Sequence, residues 1–477
     1  MSLKEKVISG TKWVALANIF NQIMRIVSLI FFARLLSPDD FGIFSILMIF
    51  VNFLIMFVDM GTAAALIHIK KPTQKLLSSV FYFNIFIGIL LFLLLVSISG
   101  YIATFFDKPI LEELLTLIAI NFIVMSLAVV QKAKLEKELN VKKMVLSESL
   151  AGFTGIVVAV IAALYGFGVH SLVIHTLTTS VLTVIFIWMI SSWRPSLYFK
   201  VEEIKKIWGY TANLTTFNFV NYFSRNADSF LIGKFLGTYP LGVYSLAYSM
   251  MLYPIQNISR VLVRILFPAF SQIQDDNVKF KKVYLRAIFF IALISFPIMI
   301  GLVATAELFV EIVFGDKWKN LAIILMILAP VGMIKSIGET NGLIYMAKGN
   351  TGLLLKVGTF STIVTISFFI GGIFYGVEGV AIAYLLSTIL LVYPIYKISW
   401  EQIELTLSEG FKTIFPVFII SSIMGISVWL FQIWLHQFHI HQILEFIIAI
   451  FLGITIYFWL IYVKYGSIKE LIKELRT

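Results

Sequence analysis

An all-α polytopic membrane protein of about 14 transmembrane helices is the fold class this sequence predicts: two parallel six-helix repeats followed by an added helix pair. Three observations carry that expectation. The 477 residues are 60% hydrophobic and 13% charged, with a mean hydropathy of +0.95. A soluble domain has about 45–50% apolar and about 25% charged residues. The apolar residues also fall into runs of about 20, the length that spans a bilayer as a helix. Finally, one polar pattern occurs twice, 200 residues apart, inside two of those runs.

Bounded by charges, Gly or Pro, the runs of the first half start near residues 12, 41, 77, 111, 145 and 169. Those of the second half start near 210, 240, 284, 320, 353 and 378, and two more begin near 411 and 442. The expected organisation is therefore a lobe at 1–200, a second at 201–400, and a helix pair with a basic tail at 401–477. Residues 1–11 form a short basic lead with no small-residue cleavage site behind the first apolar run.

Charge supplies the orientation. Of 37 Lys and Arg, 27 fall on one set of alternating segments and 5 on the other. The remaining 5, Arg25, Arg225, Arg260, Arg264 and Lys335, lie inside spans. The positive-inside rule places the basic face and both termini in the cytoplasm. The net charge of +11 then reflects topology, with attraction to anionic lipid. It does not point to nucleic acid, because no soluble basic domain is present to bind it.

The repeat is specific. Asn18, Asn21 and Arg25 match Asn218, Asn221 and Arg225 in register, and Thr11/Thr211, Leu36/Leu236, Gly42/Gly242 and Ser45/Ser245 extend the match without a gap. Spacings of three, four and seven residues put the polar groups on one helix face. An even number of spans before the repeat gives both halves the same orientation. A charge at the bilayer centre costs roughly 2.5–3.5 kcal/mol on insertion scales. Two such helices therefore point to a polar cavity, and Asn18, Asn21, Arg25, Asn218, Asn221 and Arg225 are its first candidate substrate-binding residues.

Further groups join them. Asp228, one turn beyond Arg225, can pair with it. Arg260 and Arg264 sit at i,i+4, with Gln256 a turn earlier and Pro254 and Pro268 flanking. Lys335 and Glu339 form another i,i+4 pair, either self-neutralising or part of the cavity. Asp59, Asp228 and Glu339 are the candidate ion-coupling groups. Trp13, Trp193, Trp208 and Trp400 read as interfacial anchors, and Tyr244 and Tyr248 could stack on sugars.

Several chemistries lack their residues. Zero cysteines exclude disulfides and thiolate metal sites. His436, His439 and His441 share one short loop without an acid or thiol beside them, so no metal or other cofactor is expected. There is no phosphate-binding Gly-rich loop, His-Glu-x-x-His pattern or nucleophile elbow, and hence no catalytic residue is assigned.

Segments along the chain resemble the polysaccharide flippase and exporter family, of the colanic-acid and teichuronic-acid exporter type, in the multidrug/oligosaccharidyl-lipid/polysaccharide (MOP) exporter superfamily. They are Arg34-Leu35-Leu36-Ser37-Pro38-Asp39-Asp40-Phe41-Gly42-Ile43-Phe44, Asp59-Met60-Gly61 and Trp193-Arg194-Pro195. Arg225-Asn226-Ala227-Asp228-Ser229-Phe230-Leu231-Ile232-Gly233-Lys234, Leu241-Gly242-Val243-Tyr244, Phe267-Pro268-Ala269-Phe270 and Phe314-Gly315-Asp316-Lys317-Trp318 complete the series. One departure is His170, where the family often has an aromatic after Gly168-Val169. The resemblance implies a MATE-like (MOP) fold in a bacterial-type cytoplasmic (inner) membrane. It implies a polyprenyl-diphosphate-linked oligosaccharide as substrate, moved from inner to outer leaflet by alternating access. A polysaccharide polymerase and glycosyltransferases are the partners such a role implies. The alternatives within the superfamily are a peptidoglycan-precursor flippase and a multidrug or organic-cation antiporter. A membrane glycan polymerase or ligase is the remote alternative, since the outer segments are short.

Overall fold

The computed structural model describes residues 3–138, 140–205, 207, 222, 226–438 and 440–466, with side chains from residue 19 onward except Arg264. These residues are mostly helical, with turns and the non-helical stretch 191–200 between helices, and contain no strand. Among the described residues ten helices are long and apolar enough to cross a membrane, and Ile110–Ser126 with Val129–Lys137, bent by 41°, make eleven if that pair counts as one span. The 33-residue Leu3–Leu35 helix and the run Thr238–Met251, Ile255–Ser259 and Arg260–Gln272 lie on two other expected spans. The expected start near 210 falls outside the described residues; a helix covers each of the others.

The chain divides into two compact units, Met1–Gly242 and Val243–Thr477. In the first, sequence chemistry sets the helix ends. Ser37 caps the Pro38–Asp59 helix in a capping box, with Asp40 Oδ2 accepting from the Ser37 N–H at 2.9 Å and Ser37 Oγ from the Asp40 N–H at 3.2 Å. Pro38 occupies the first turn, where a missing N–H is tolerated. The helix stops where Met60 and Gly61 turn left-handed, at φ 46° and 78°, with Asp59 Oδ1 accepting from the Gly61 N–H. The Thr62–His68 helix follows.

The repeated glycines have a shared task. A Cβ on Gly42 would lie 1.8 Å from the Thr238 carbonyl oxygen, and one on Gly242 would lie 1.8 Å from that of Pro38. Each glycine thus rests on the backbone of the other segment's first turn, a closeness only a residue without a Cβ permits. Thr238 Oγ1 donates to Asp39 Oδ1 at 2.6 Å beside this crossing.

Basic residues cap helix C-termini, where carbonyls lack intrahelical partners. Lys137 Nζ donates to the carbonyls of Leu66, at 3.0 Å, and Ile69. Arg194 reaches those of Trp188 and Ser191 at 3.0 and 2.6 Å. In the second unit Lys348 Nζ donates to the Gln274 carbonyl.

Two of the expected interfacial tryptophans are core residues instead. Trp193 is buried and donates to Gln74 Oε1 at 2.7 Å. Trp400 is fully buried and donates to the Tyr284 hydroxyl at 2.9 Å, in a cluster with Phe270, Phe280 and Ile288. Each indole N–H found a protein partner, which removes its need for the headgroup layer. The side chains of Trp13 and Trp208 lie outside the described residues.

Candidate substrate-binding site

The site with the most developed chemistry lies in the second unit, and Pro254 begins it. Proline supplies no N–H, and behind it Ile255–Ser259 form a π turn in which the Arg260 N–H reaches back to the Ile255 carbonyl. Such single-turn widenings occur often at functional sites. The Lys319–Ala347 helix approaches closely because Gly332 has no side chain; a Cβ there would lie 2.7 Å from the Met251 carbonyl oxygen. One turn on, Ser259 Oγ donates to the Ser336 carbonyl at 2.7 Å, and the Ser336 and Ser295 hydroxyls meet at 2.9 Å. This buried seam fixes the register of three segments.

Arg260 and Glu339 emerge from the end of that seam. Arg260 Nε donates to Glu339 Oε1 at 2.9 Å, with the two side chains 41% and 33% exposed. The terminal guanidinium nitrogens make no hydrogen bond among the described residues. Glu339 is therefore neutralised across helices by Arg260, which answers half of the question left by the Lys335–Glu339 spacing. Lys335, on the same face, places Nζ 4.6 Å over the Tyr384 ring.

Tyr384 also stacks on Tyr248 at 6.2 Å, and Tyr248 on Tyr244 at 5.9 Å. Tyr244 is fully buried, and half-buried Tyr248 already stacks with two aromatic rings. Tyr244 therefore cannot offer a ring face to a sugar, contrary to the expectation above, and Tyr248 is engaged by its two neighbours. The ladder instead supports Lys335 by a cation–π contact. A guanidinium held by one edge keeps its fork for a second anion, the planar geometry that suits phosphate oxygens.

The remaining expected residues are distributed as follows. Arg25 is exposed and Asn21 half-buried on the Leu3–Leu35 helix. Asn18 and Arg264 have described backbones only, and Asn218, Asn221 and Arg225 lie outside the described residues, so the Arg225–Asp228 pairing does too. Asp228 is buried and accepts from the Ser229 N–H at 2.7 Å. Asp59 closes the turn after its helix. Among the described residues no group of three metal-ligating side chains exists; His436 faces the buried Glu445 at 3.8 Å, and His439 is outside.

Sequence reasoning missed Gly332, Ser336 and Tyr384. A signal was present: Gly332, Ser336 and Thr340 recur every four residues, the small-residue spacing that lets membrane helices approach.

Comparison with known proteins bears on this arrangement. The family described as "Polysaccharide biosynthesis protein" matches residues 31–323. The lipopolysaccharide biosynthesis protein WzxC of Escherichia coli (strain K12) is 29% identical over 439 residues, covering 89% of each chain. Among solved structures, the lipid II flippase MurJ in an inward closed conformation superposes with a TM-score of 0.74 at 18% identity, over 96% of this chain and 99% of that one. An inward-facing multidrug resistance MATE family transporter of the MOP superfamily gives 0.58 at 16% identity, over 82% and 95%. At these identities the structural likeness establishes the fold.

Proposed function

This chain belongs to the polysaccharide biosynthesis protein family, and from that premise we propose that it is a flippase for a polyprenyl-diphosphate-linked oligosaccharide. It carries the glycan from the inner to the outer leaflet for surface polysaccharide synthesis. The single observation that supports this most is Arg260, half-exposed on an expected span and fastened to Glu339 by Nε alone. A structural ion pair closes both partners in; this one leaves a guanidinium edge open. A diphosphate supplies the oxygens that such an edge binds, while the prenyl chain stays in lipid.

In this reading Lys335, Arg264, Arg25 and Arg225, with Asn18, Asn21, Asn218 and Asn221, add cationic and polar donors. The lobes 1–200 and 201–400 expose the site alternately to either side of a cytoplasmic membrane, with both termini in the cytoplasm. Asp59, Asp228 and Glu339 remain the coupling acids. A polysaccharide polymerase and glycosyltransferases work beside it, before and after translocation.

Complementation of a bacterial strain lacking its own exporter for the same glycan tests the proposal. Arg260→Ala should abolish surface glycan at unchanged membrane abundance, and Arg260→Lys should restore only part of it, since an ammonium offers a point charge in place of a fork. Full glycan output from Arg260→Ala would remove the site from the transport path.

A further inference from the structure

The segment at residues 191–207 has features that neither the spans nor the Arg260 site require. Residues 191–200 carry no regular secondary structure: Pro195 disfavours helix in the residue before it, the Tyr198 N–H donates to the Ser196 carbonyl at 2.7 Å across a bend at Leu197, and helix resumes at Val201. Leu197, Phe199 and Val201 are 99%, 51% and 52% exposed. The intervening residues are fastened to the first turns of the Gln74–Phe105 helix. The Ser196 N–H donates to Ser78 Oγ at 3.0 Å, and the Lys200 N–H to Ser79 Oγ at 3.1 Å. Tyr198 carries Lys75 Nζ 5.4 Å from its ring centre. Gln74 grips the beginning of the segment, donating to the Arg194 carbonyl at 2.8 Å and accepting from Trp193 Nε1 at 2.7 Å. Ile204 and Ile207 anchor its far end in the core.

A row of apolar side chains is thus held rigidly outward at the end of a spanning helix. Its surroundings are basic. Lys70, Lys71, Lys200 and Lys205 are exposed and make no ion pair among the described residues, and the segment's own acids are Glu202 and Glu203. Apolar groups bordered by lysines at the end of a span match one environment, the boundary between acyl chains and acidic headgroups.

We infer that residues 197–201, with Lys70, Lys71, Lys200 and Lys205, form a docking surface for anionic phospholipid at the basic face of the membrane. Leu197, Phe199 and Val201 enter the acyl boundary, and the lysines bind the headgroup phosphates. The linker is then a fixed point on the leaflet, not a free tether.

The absence of cysteine makes the test direct. Leu197→Cys in the full-length chain takes a polarity-sensitive fluorophore, and the protein is placed in nanodiscs of phosphatidylcholine alone or mixed with phosphatidylglycerol. The expected result is blue-shifted emission and quenching by spin-labelled lipid, at least twofold stronger with phosphatidylglycerol. Lys200→Gln/Lys205→Gln should remove that difference. A label at Lys279→Cys, a position 72% exposed elsewhere, should stay water-like in both lipids. Equal quenching in the two lipids would overturn the anionic preference. A Leu197 label quenched by aqueous iodide and untouched by lipid quenchers would overturn the surface itself, as would shielding that needs a second protein chain. Native mass spectrometry of unlabelled protein gives an independent readout: the double Lys variant should retain fewer phosphatidylglycerol molecules, and equal retention would overturn the inference.

Discussion

Glu339 and Thr340 are adjacent in one helix, yet they belong to opposite kinds of polar site. Thr340 is buried, and its Oγ1 meets the Tyr284 hydroxyl at 2.8 Å. That hydroxyl also donates to Asn341 Oδ1 at 3.0 Å and accepts from Trp400 Nε1 at 2.9 Å. Every member is neutral and enclosed. Glu339, about 100° around the helix, is charged, half-exposed and tied to a guanidinium with unused donors. Buried neutral networks specify packing, whereas a half-open charge retained within a membrane span marks a place where something binds. One helix thus joins a closed network to the proposed site, and the Ser259–Ser336 seam meets the same helix one turn earlier.

The largest expected effect falls on the open side. Arg260→Ala should lower glycan export at least about tenfold, the scale of losing a charge-assisted hydrogen bond of about 1.5–3 kcal/mol, without lowering thermal stability by a similar amount. Equal losses of export and stability would erase the distinction between the two sites. On the closed side, Tyr284→Phe leaves Thr340, Asn341 and Trp400 short of a partner, so unfolding should become about 1–3 kcal/mol easier. Export per folded molecule should hold, and a specific export defect would place the closed network in the transport path. Ser259→Ala sharpens the link between them. Losing one buried hydrogen bond, about 1 kcal/mol, should lower stability slightly and export by a few-fold, because Arg260 follows Ser259 directly. Unchanged export would show that the seam does not position the guanidinium.

The smallest effect is expected away from both sites. Asp276 caps the Asn277–Ala304 helix, accepting from the Lys279 N–H at 3.0 Å. That bond, with the Lys279 ammonium, holds its carboxyl below the usual carboxylate range. A depressed folded-state pKa stabilises above the unfolded value and loses that contribution as pH falls through the folded one. Asp276→Asn should therefore be slightly less stable than the parent at neutral pH and equal to it in strong acid. A difference that persisted in acid would assign the effect to packing.

Much of the fold was legible because hydropathy is additive along the chain. Runs of about 20 apolar residues need no knowledge of their neighbours to be recognised. The segments that carry the family resemblance prove mainly structural: Ser37-Pro38-Asp39-Asp40 starts a helix, Asp59-Met60-Gly61 ends it, and Gly42 and Gly242 make the reciprocal crossing. Trp193 and Trp400 were misread because composition reports that a tryptophan lies near a boundary, not whether its N–H has found a partner inside. Tyr244 was misread for a similar reason: an aromatic's usefulness to a sugar depends on a ring face being left open, and this ring is fully buried.

By itself the sequence determined that this chain is a helical membrane protein, which segments are apolar enough to span, and which of them carry charge. Those properties are local, summed over single helices. Only the tertiary structure decided that Glu339 serves Arg260, that Lys335 rests on Tyr384, and that Ser259 meets Ser336. The π turn behind Pro254 and the close approach at Gly332 bring Arg260 and Ser259 to partners 79 and 77 residues away, and no spacing along one helix encodes a contact between two.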